Sequence, residues 1–159
     1  MDQADLNVAP LPIMSRDETT QPASETPLEA VLVVDDERPL LEVFAEALST
    51  RFDVTTATSA REAEFILRKK TFKAVVADHL MPGGNGMSFL VRAREEYPHM
   101  QRILVTGYMK PEMLLRSVNE AALFRYLLKP VSVVELVNVV VEAAKLHDAL
   151  VKVAAENVS

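Results

Sequence analysis

The chain has 159 residues, which is enough for one domain with a sizeable core and short for two. Seventeen basic against 23 acidic residues give a net charge of −6, which argues against direct contact with nucleic acid, and the lack of cysteine excludes disulfides and thiolate metal sites. The longest apolar run, residues 30–34, is far shorter than the roughly 20 residues that cross a bilayer. No secretory signal is visible, so we expect a cytoplasmic location without membrane contact.

Residues 1–28 differ in composition from the rest of the chain. They hold four of the nine prolines, and five acidic residues accompany a single basic one. Such a composition buries too little apolar surface to offset the entropy of ordering, so it predicts a flexible, acidic, Pro-rich tail. One part of this tail is apolar enough to dock as a short extended segment: Leu6, Val8, Leu11, Ile13 and Met14.

From residue 30 onward, apolar segments alternate with amphipathic ones. The β-branched run at residues 30–34 predicts a strand that is buried on both faces. Four shorter apolar segments predict further strands at residues 52–56, 74–77, 102–105 and 124–128. A segment with helical spacing of apolar residues follows each strand. Five strand–helix cycles with short connections predict a single α/β domain, a doubly wound parallel sheet with helices on both faces.

Sequence signals mark the N-terminal ends of three predicted helices. Pro39 suits the first turn of the first helix. Ser59 with Glu62 forms a capping box for the second helix, which is predicted to run to about Lys70. A second box, Ser132 with Glu135, opens a last helix that is predicted to run beyond residue 154.

Polar residues follow four of the predicted strands. Asp35 and Asp36 follow the first strand and Asp78 the third, while Thr106 follows the fourth and Lys129 the fifth. Because ligands bind at the carboxyl ends of parallel strands, these side chains are expected to converge. Three carboxylates at close range repel one another, which indicates raised pKa values or a bound cation, and an all-oxygen ligand set favours Mg²⁺.

The other two side chains suit a phosphoryl group. Lys129 adds a point charge and Thr106 a hydrogen-bond donor for the phosphoryl oxygens. A carboxylate can itself be the nucleophile, and the product is then an acyl phosphate.

Five motifs, each at the end of a strand or in the loop after it, resemble the receiver domain of two-component response regulators. They read Val-Val-Asp35-Asp36-Glu, Val-Val-Ala-Asp78, Met81-Pro82, Leu-Val-Thr106-Gly107 and Leu-Lys129-Pro130. The resemblance covers about residues 29–147 and implies a flavodoxin-like fold with five helices and strand order 2-1-3-4-5. Residues 148–159 then extend the last helix beyond the receiver domain.

The resemblance also implies roles for individual residues. Asp78 would accept a phosphoryl group from a sensor histidine kinase or phosphotransfer protein, and Thr106 and Lys129 would contact its oxygens. Tyr126 matches the family's switch aromatic and would act with Thr106. The implied Mg²⁺ ligands are the carboxylates of Asp35 (mostly through water), Asp36 and Asp78 and the backbone carbonyl of Leu80. The peptide bond between Lys129 and Pro130 matches one that is usually cis in receivers.

The implied activity is signalling rather than catalysis of an external reaction, since such a domain catalyses only its own phosphorylation and dephosphorylation. The implied output surface comprises the fourth helix, the fifth strand and the fifth helix, which could also form a homodimer. Leu80 and Tyr108 are bulky at positions beside the expected phosphoryl pocket, and we therefore predict slow self-dephosphorylation.

Other interpretations stay open at this point. The chain could be a degenerate receiver that binds proteins without phosphorylation, or, less favoured, a phosphatase of the haloacid-dehalogenase type, although the second Asp expected two residues after the nucleophile is absent. A dinucleotide-binding domain lacks its glycine-rich loop after the first strand. Singly, Asp35 and Asp36 could merely favour a helix N-terminus, and Lys129 could be a solvated loop residue. The seam of Leu146, Leu150 and Val153 fits either dimerisation or connection to an output domain, or else a frayed helix end.

Overall fold

The computed structural model describes residues 27–81 and 85–158. The predicted tail therefore lies outside the described residues, except for Pro27 and Leu28, which are exposed. Strands and helices alternate along the chain as predicted. The strands are β1 (Glu29–Val34), β2 (Phe52–Ala57), β3 (Ala74–Asp78), β4 (Gln101–Thr106) and β5 (Arg125–Leu128). The helices are α1 (Arg38–Leu48), α2 (Ala60–Leu67), α3 (Gly86–Glu96), α4 (Pro111–Ala121) and α5 (Val133–Val158).

All five strands pair in parallel in the order β2-β1-β3-β4-β5, which confirms the predicted flavodoxin-like topology. The chain first adds β2 on one side of β1 and then adds β3 on the other, so the strand order reverses between β1 and β3. Val34 at the end of β1 is in register with Ala77 in β3. The residues that follow, Asp35 and Asp78, are therefore level at the reversal point, where doubly wound sheets bind ligands.

The core has two layers, one on each face of the sheet. Val31 and Val33 of β1 belong to a cluster that includes Phe44 of α1, whereas Leu32 and Val34 belong to the cluster on the opposite face. The first cluster is completed by α5 and the second by α2 and α3. Both faces of β1 are buried, as its continuous β-branched run predicts.

The first capping box forms with one difference from its usual geometry. The Ser59 hydroxyl accepts a hydrogen bond from the Glu62 amide at 3.1 Å, but the Glu62 carboxylate accepts from the Thr58 amide rather than from that of Ser59. The prediction that α2 runs to about Lys70 is wrong, since this helix ends at Leu67. The amides of Lys69 and Lys70 both donate to the Ile66 carbonyl, because the chain must turn there to reach β3.

Helix α5 is the longest described element and continues past the sheet. The Ser132 hydroxyl accepts from the Glu135 amide at 3.3 Å, and Leu136, Val140 and Ala143 are buried against the sheet. The three seam residues beyond them, Leu146, Leu150 and Val153, are exposed. Within residues 27–81 and 85–158, no helix combines the length and hydropathy that a bilayer crossing needs.

Candidate functional site

Three of the predicted acidic residues meet at the carboxyl edge of the sheet. Asp35, Asp36 and Asp78 each place a carboxylate oxygen within 4.8 Å of those of the other two. Asp35 and Asp78 are buried, and Asp36 is the most exposed of the three. The parallel pairing of β1 with β3 brings these groups together, since both strands end at the same level.

Lys129 lies beside the acidic cluster. Its ammonium is 2.9 Å from Oδ1 of Asp78 and 3.5 Å from Oε1 of Glu37. The Lys129 amide donates to the Thr106 carbonyl at 2.8 Å, which fixes the end of β5 against β4. The peptide bond between Lys129 and Pro130 is cis, as the resemblance implies. Lys129 is thus a paired cation within the cluster and not the solvated loop lysine that the sequence also allowed.

The charges at this edge are not balanced. Burial raises the pKa of Asp35; the hydrogen bond from the Glu37 amide opposes that rise, and the negative charge of Asp78 adds to it. Burial would lower the pKa of Lys129, but its hydrogen bond to Asp78 and the negative charges of Asp78, Asp35 and Glu37 together outweigh that effect, and the pKa is raised. One ammonium faces three clustered carboxylates and Glu37. Oxygen ligands with an excess of negative charge fit a hard divalent cation such as Mg²⁺.

The remaining predicted residues lie on β4 and β5 or in the loops after β3 and β4. Thr106 ends β4 and is buried, and its hydroxyl donates to the Tyr108 carbonyl at 3.4 Å. Tyr126 lies on β5 with 42% of its surface exposed. Leu80 and Tyr108 lie in the loops after β3 and β4, and both side chains are largely exposed. Pro82, which belongs to one of the motifs, lies outside the described residues.

Two residues of this site were given no role in the sequence analysis. Glu37 donates its amide to Asp35 Oδ1 at 2.9 Å and places its carboxylate near Lys129. Gly86, the first residue of α3, approaches the main chain of β3 so closely that a Cβ there would be 2.0 Å from the Asp78 carbonyl oxygen. The position of Glu37 directly after the two aspartates was a usable signal, whereas the contact of Gly86 is visible only in three dimensions.

A cavity of about 520 Å³ lies on a different face, against the edge strand β5. Tyr126 and Leu128 line it from the strand and Phe124 from the residue before the strand, together with Val118 of α4 and Glu135 of α5. This arrangement separates a charged site from an apolar groove, and Tyr126 belongs to the groove.

The family model described as "Response regulator receiver domain" matches residues 31–141, which include all of the residues that form the acidic cluster and Lys129. The chain belongs to this family. Receiver domains of this family are parts of two-component systems and act as signalling domains.

Curated relatives and solved structures agree with this assignment. The hydrogenase transcriptional regulatory protein HoxA of Cupriavidus necator is 39% identical over 100 residues, which cover 63% of this chain and 21% of HoxA. HoxA of Bradyrhizobium diazoefficiens is 36% identical over 117 residues, which cover 74% of this chain and 24% of that protein. The chain thus spans less than a quarter of the length of these relatives.

Among solved structures, a CheY-like response regulator receiver domain protein from Methanospirillum hungatei aligns with a TM-score of 0.72 at 26% identity. The alignment covers 77% of this chain and 98% of that one. The similarity therefore extends over nearly the whole of an isolated receiver domain.

Proposed function

We propose that this receiver domain takes up a phosphoryl group on Asp78 from a sensor histidine kinase or a phosphotransfer protein. The observation that carries the proposal is the position of the Asp78 carboxylate, which is within 4.8 Å of Asp35 and Asp36 and 2.9 Å from the Lys129 ammonium. A buried carboxylate can act as the nucleophile, and the Lys129 ammonium, together with a divalent cation on the two neighbouring acidic groups, would offset the negative charge that the product adds.

In the proposed step, one oxygen of Asp78 attacks the phosphorus of a phosphohistidine. The new O–P bond forms as the P–N bond breaks. The nitrogen released keeps the electron pair of that bond, and the imidazole, which already carries a proton on its other ring nitrogen, leaves as a neutral group. Lys129 neutralises charge on the transferred oxygens, and Thr106, whose long bond to the Tyr108 carbonyl is easily exchanged, donates its hydroxyl to another. The carboxylates of Asp36 and Asp78, the backbone carbonyl of Leu80 and, mostly through water, the carboxylate of Asp35 would hold Mg²⁺, which would supply further positive charge at the phosphoryl oxygens.

The consequence is a shift between two conformations of the α4–β5–α5 face. When the Thr106 hydroxyl turns toward the phosphoryl group, space opens beside it that the half-exposed Tyr126 ring can enter. Movement of Tyr126 reshapes the groove along β5, which is the proposed output or homodimer surface. In this proposal residues 29–147 form the signalling domain, residues 148–159 extend its last helix, and the protein acts in the cytoplasm.

The proposal is tested by incubating the full chain with acetyl phosphate, with and without Mg²⁺, and measuring intact mass. We expect the mass increase of one phosphoryl group that depends on Mg²⁺ and disappears after treatment with alkali or hydroxylamine, which cleave an acyl phosphate at its carbonyl carbon. Asp78→Asn should abolish the increase, while Asp53→Asn, which removes an exposed carboxylate on β2, should leave it unchanged.

Two outcomes contradict the proposal. An adduct that persists in Asp78→Asn places the acceptor elsewhere. A wild-type chain that stays unmodified both with Mg²⁺ and acetyl phosphate and with a phosphorylated kinase contradicts phosphorylation of Asp78. That result favours the alternative, a receiver that binds proteins without phosphorylation.

A further inference from the structure

A second cavity lies at the amino edge of the sheet, on the side opposite to the acidic cluster. Its volume is about 240 Å³, and its walls are mostly apolar. Phe72 and Tyr97 come from the loops that precede β3 and β4, and Val151 comes from the part of α5 that continues past the sheet. The volume is below the roughly 300–1,000 Å³ of pockets for drug-sized ligands, so the cavity suits a few side chains better than a cofactor.

Ion pairs connect this cavity to the start of β1. Lys73 pairs with Asp148 of α5 at 2.7 Å and also with Glu29, the first residue of β1. Asp148 in turn lies 3.1 Å from the ring of His147, which lines the cavity. The cavity wall on α5 is therefore fastened to the point where the N-terminal part of the chain enters the sheet.

We propose that the apolar N-terminal segment, residues 6–14 of this same chain, docks in the amino-edge cavity. The first reason is where the chain enters. Val31 pairs with Ala74, and the Lys73 amide donates to the Ala30 carbonyl at 2.9 Å. When this register is continued toward the N-terminal side of both segments, Leu28 is level with Thr71, which lines the cavity. Leu28 itself is exposed there.

The second reason is reach. Residues 15–26 connect the segment to the described part of the chain, and twelve residues span up to about 40 Å when extended. The cavity begins at Thr71, which is level with Leu28, and its volume is only about 240 Å³. Its walls are therefore much closer to Leu28 than the length of the extended connection. The segment therefore reaches the cavity with slack, and docking does not require the connecting residues to be fully extended.

The third reason is complementary chemistry. Lys70, His99 and His147 line the cavity, and none of its lining residues within the described part of the chain is acidic; the Lys70 ammonium also pairs with Asp53 of β2 at 2.8 Å. Residues 1–26 hold five acidic residues and only Arg16 as a base, and the segment itself contains Leu6, Val8, Leu11, Ile13 and Met14. Apolar side chains would fill the cavity while the flanking carboxylates face its basic rim.

Docking would connect the two ends of the chain through α5. Val151 lies one residue after Leu150, a member of the exposed seam of α5, so the docked segment would steady the part of the helix that carries the seam. The inference does not depend on phosphorylation of Asp78, because the cavity and the acidic cluster lie at opposite edges of the sheet.

The absence of cysteine makes a direct test possible. A nitroxide attached to Ser15→Cys in the otherwise unchanged full chain should broaden the amide resonances of Phe72, Met100 and Val151. Val151→Glu should restore their intensity by placing a charge in the cavity, and Leu11→Asp should do the same from the segment. The matched control is Val153→Glu on the same helix, because Val153 does not line the cavity; here the broadening should persist.

The alternatives give different signals. Broadening that is absent, or spread evenly over the domain, overturns the proposal. In a second sample, isotope-labelled chains without nitroxide are mixed with nitroxide-labelled chains that carry no isotope label. Broadening in this sample shows that the segment of a second copy occupies the cavity, which also overturns the proposal. Val151 and Val153 are both exposed, so we expect neither substitution to unfold the domain. Unfolding of either variant would be visible as a change across the whole amide spectrum.

Discussion

Gly86→Ala gives a sharp test of how the site is built. An alanine Cβ at this position would lie 2.0 Å from the carbonyl oxygen of Asp78 and 2.9 Å from its carbon. Ordinary contacts begin at 3.4 Å, so α3 and the end of β3 must separate by about 1.4 Å. Both partners are main chain in regular structure, and neither can turn aside as a flexible side chain would.

The expected cost follows from that displacement. Overpacking in a well-packed region destabilises by about 1–3 kcal/mol, which lowers Tm by about 3–12 °C in a domain of this size. Helix propensity alone predicts the opposite sign, since alanine is favoured over glycine by up to about 1 kcal/mol within helices. Because the shifted carbonyl belongs to Asp78, we also expect phosphorylation by acetyl phosphate to slow by up to about 100-fold.

Gly107→Ala is the matched control, because a Cβ there has no neighbour within 4 Å. It should leave Tm nearly unchanged in the same thermal denaturation experiment. A Gly86→Ala chain that melts at or above the wild-type temperature would refute the steric reasoning, and one that is destabilised but phosphorylated at the normal rate would separate the contact from the chemistry.

Three further substitutions test other parts of the structure. Asp35→Asn should raise Tm at pH 7 in the absence of Mg²⁺. The raised pKa of Asp35 means that the folded state binds the carboxyl proton more tightly than the unfolded state does, so the free energy of unfolding falls as pH rises above 3.8. A gain in Tm that is equally large at pH 3, where the carboxyl group is protonated in both states, would contradict this reasoning. Leu80→Asn should speed loss of the phosphoryl group several-fold by admitting water, as followed by intact mass over time; equal decay in both chains would remove the idea. Arg102→Met should cost about 1–3 kcal/mol in chemical denaturation, because the buried guanidinium satisfies the carbonyls of Ala121, Ala122 and Met100, whereas Arg125→Met on the surface should be nearly neutral.

Much of the fold is readable from the chain because its signals are local. The run at residues 30–34 predicted a strand buried on both faces, and β1 has that burial. Helix α2 ended earlier than predicted because its end depends on where Phe72 must be buried, a tertiary requirement that periodicity does not contain. The order of strands followed from the resemblance, since alternation alone leaves several parallel orders open.

The candidate site was predictable where it depends on strand ends. Asp35, Asp36 and Asp78 converge because parallel strands finish at one edge, and Lys129 joins them from β5. The role of Gly86 and the amino-edge cavity depend on how separate elements approach one another in space. No spacing in the sequence carries that information.

Helix α4 is fastened at one end in an unusual way. Arg102 of β4 and Arg94 of α3 donate to carbonyls of its last turn and of the residue after it, with bonds of 2.7 Å to Ala121 and 2.8 Å to Glu120 among them. At the other end, the N-cap Lys110 makes no side-chain capping bond. Because the C-terminal turn of α4 accepts these side-chain bonds and its N-cap residue makes none, we expect a rearrangement of the loop after Thr106 to tilt the helix about its C-terminal end rather than to shift it along its axis.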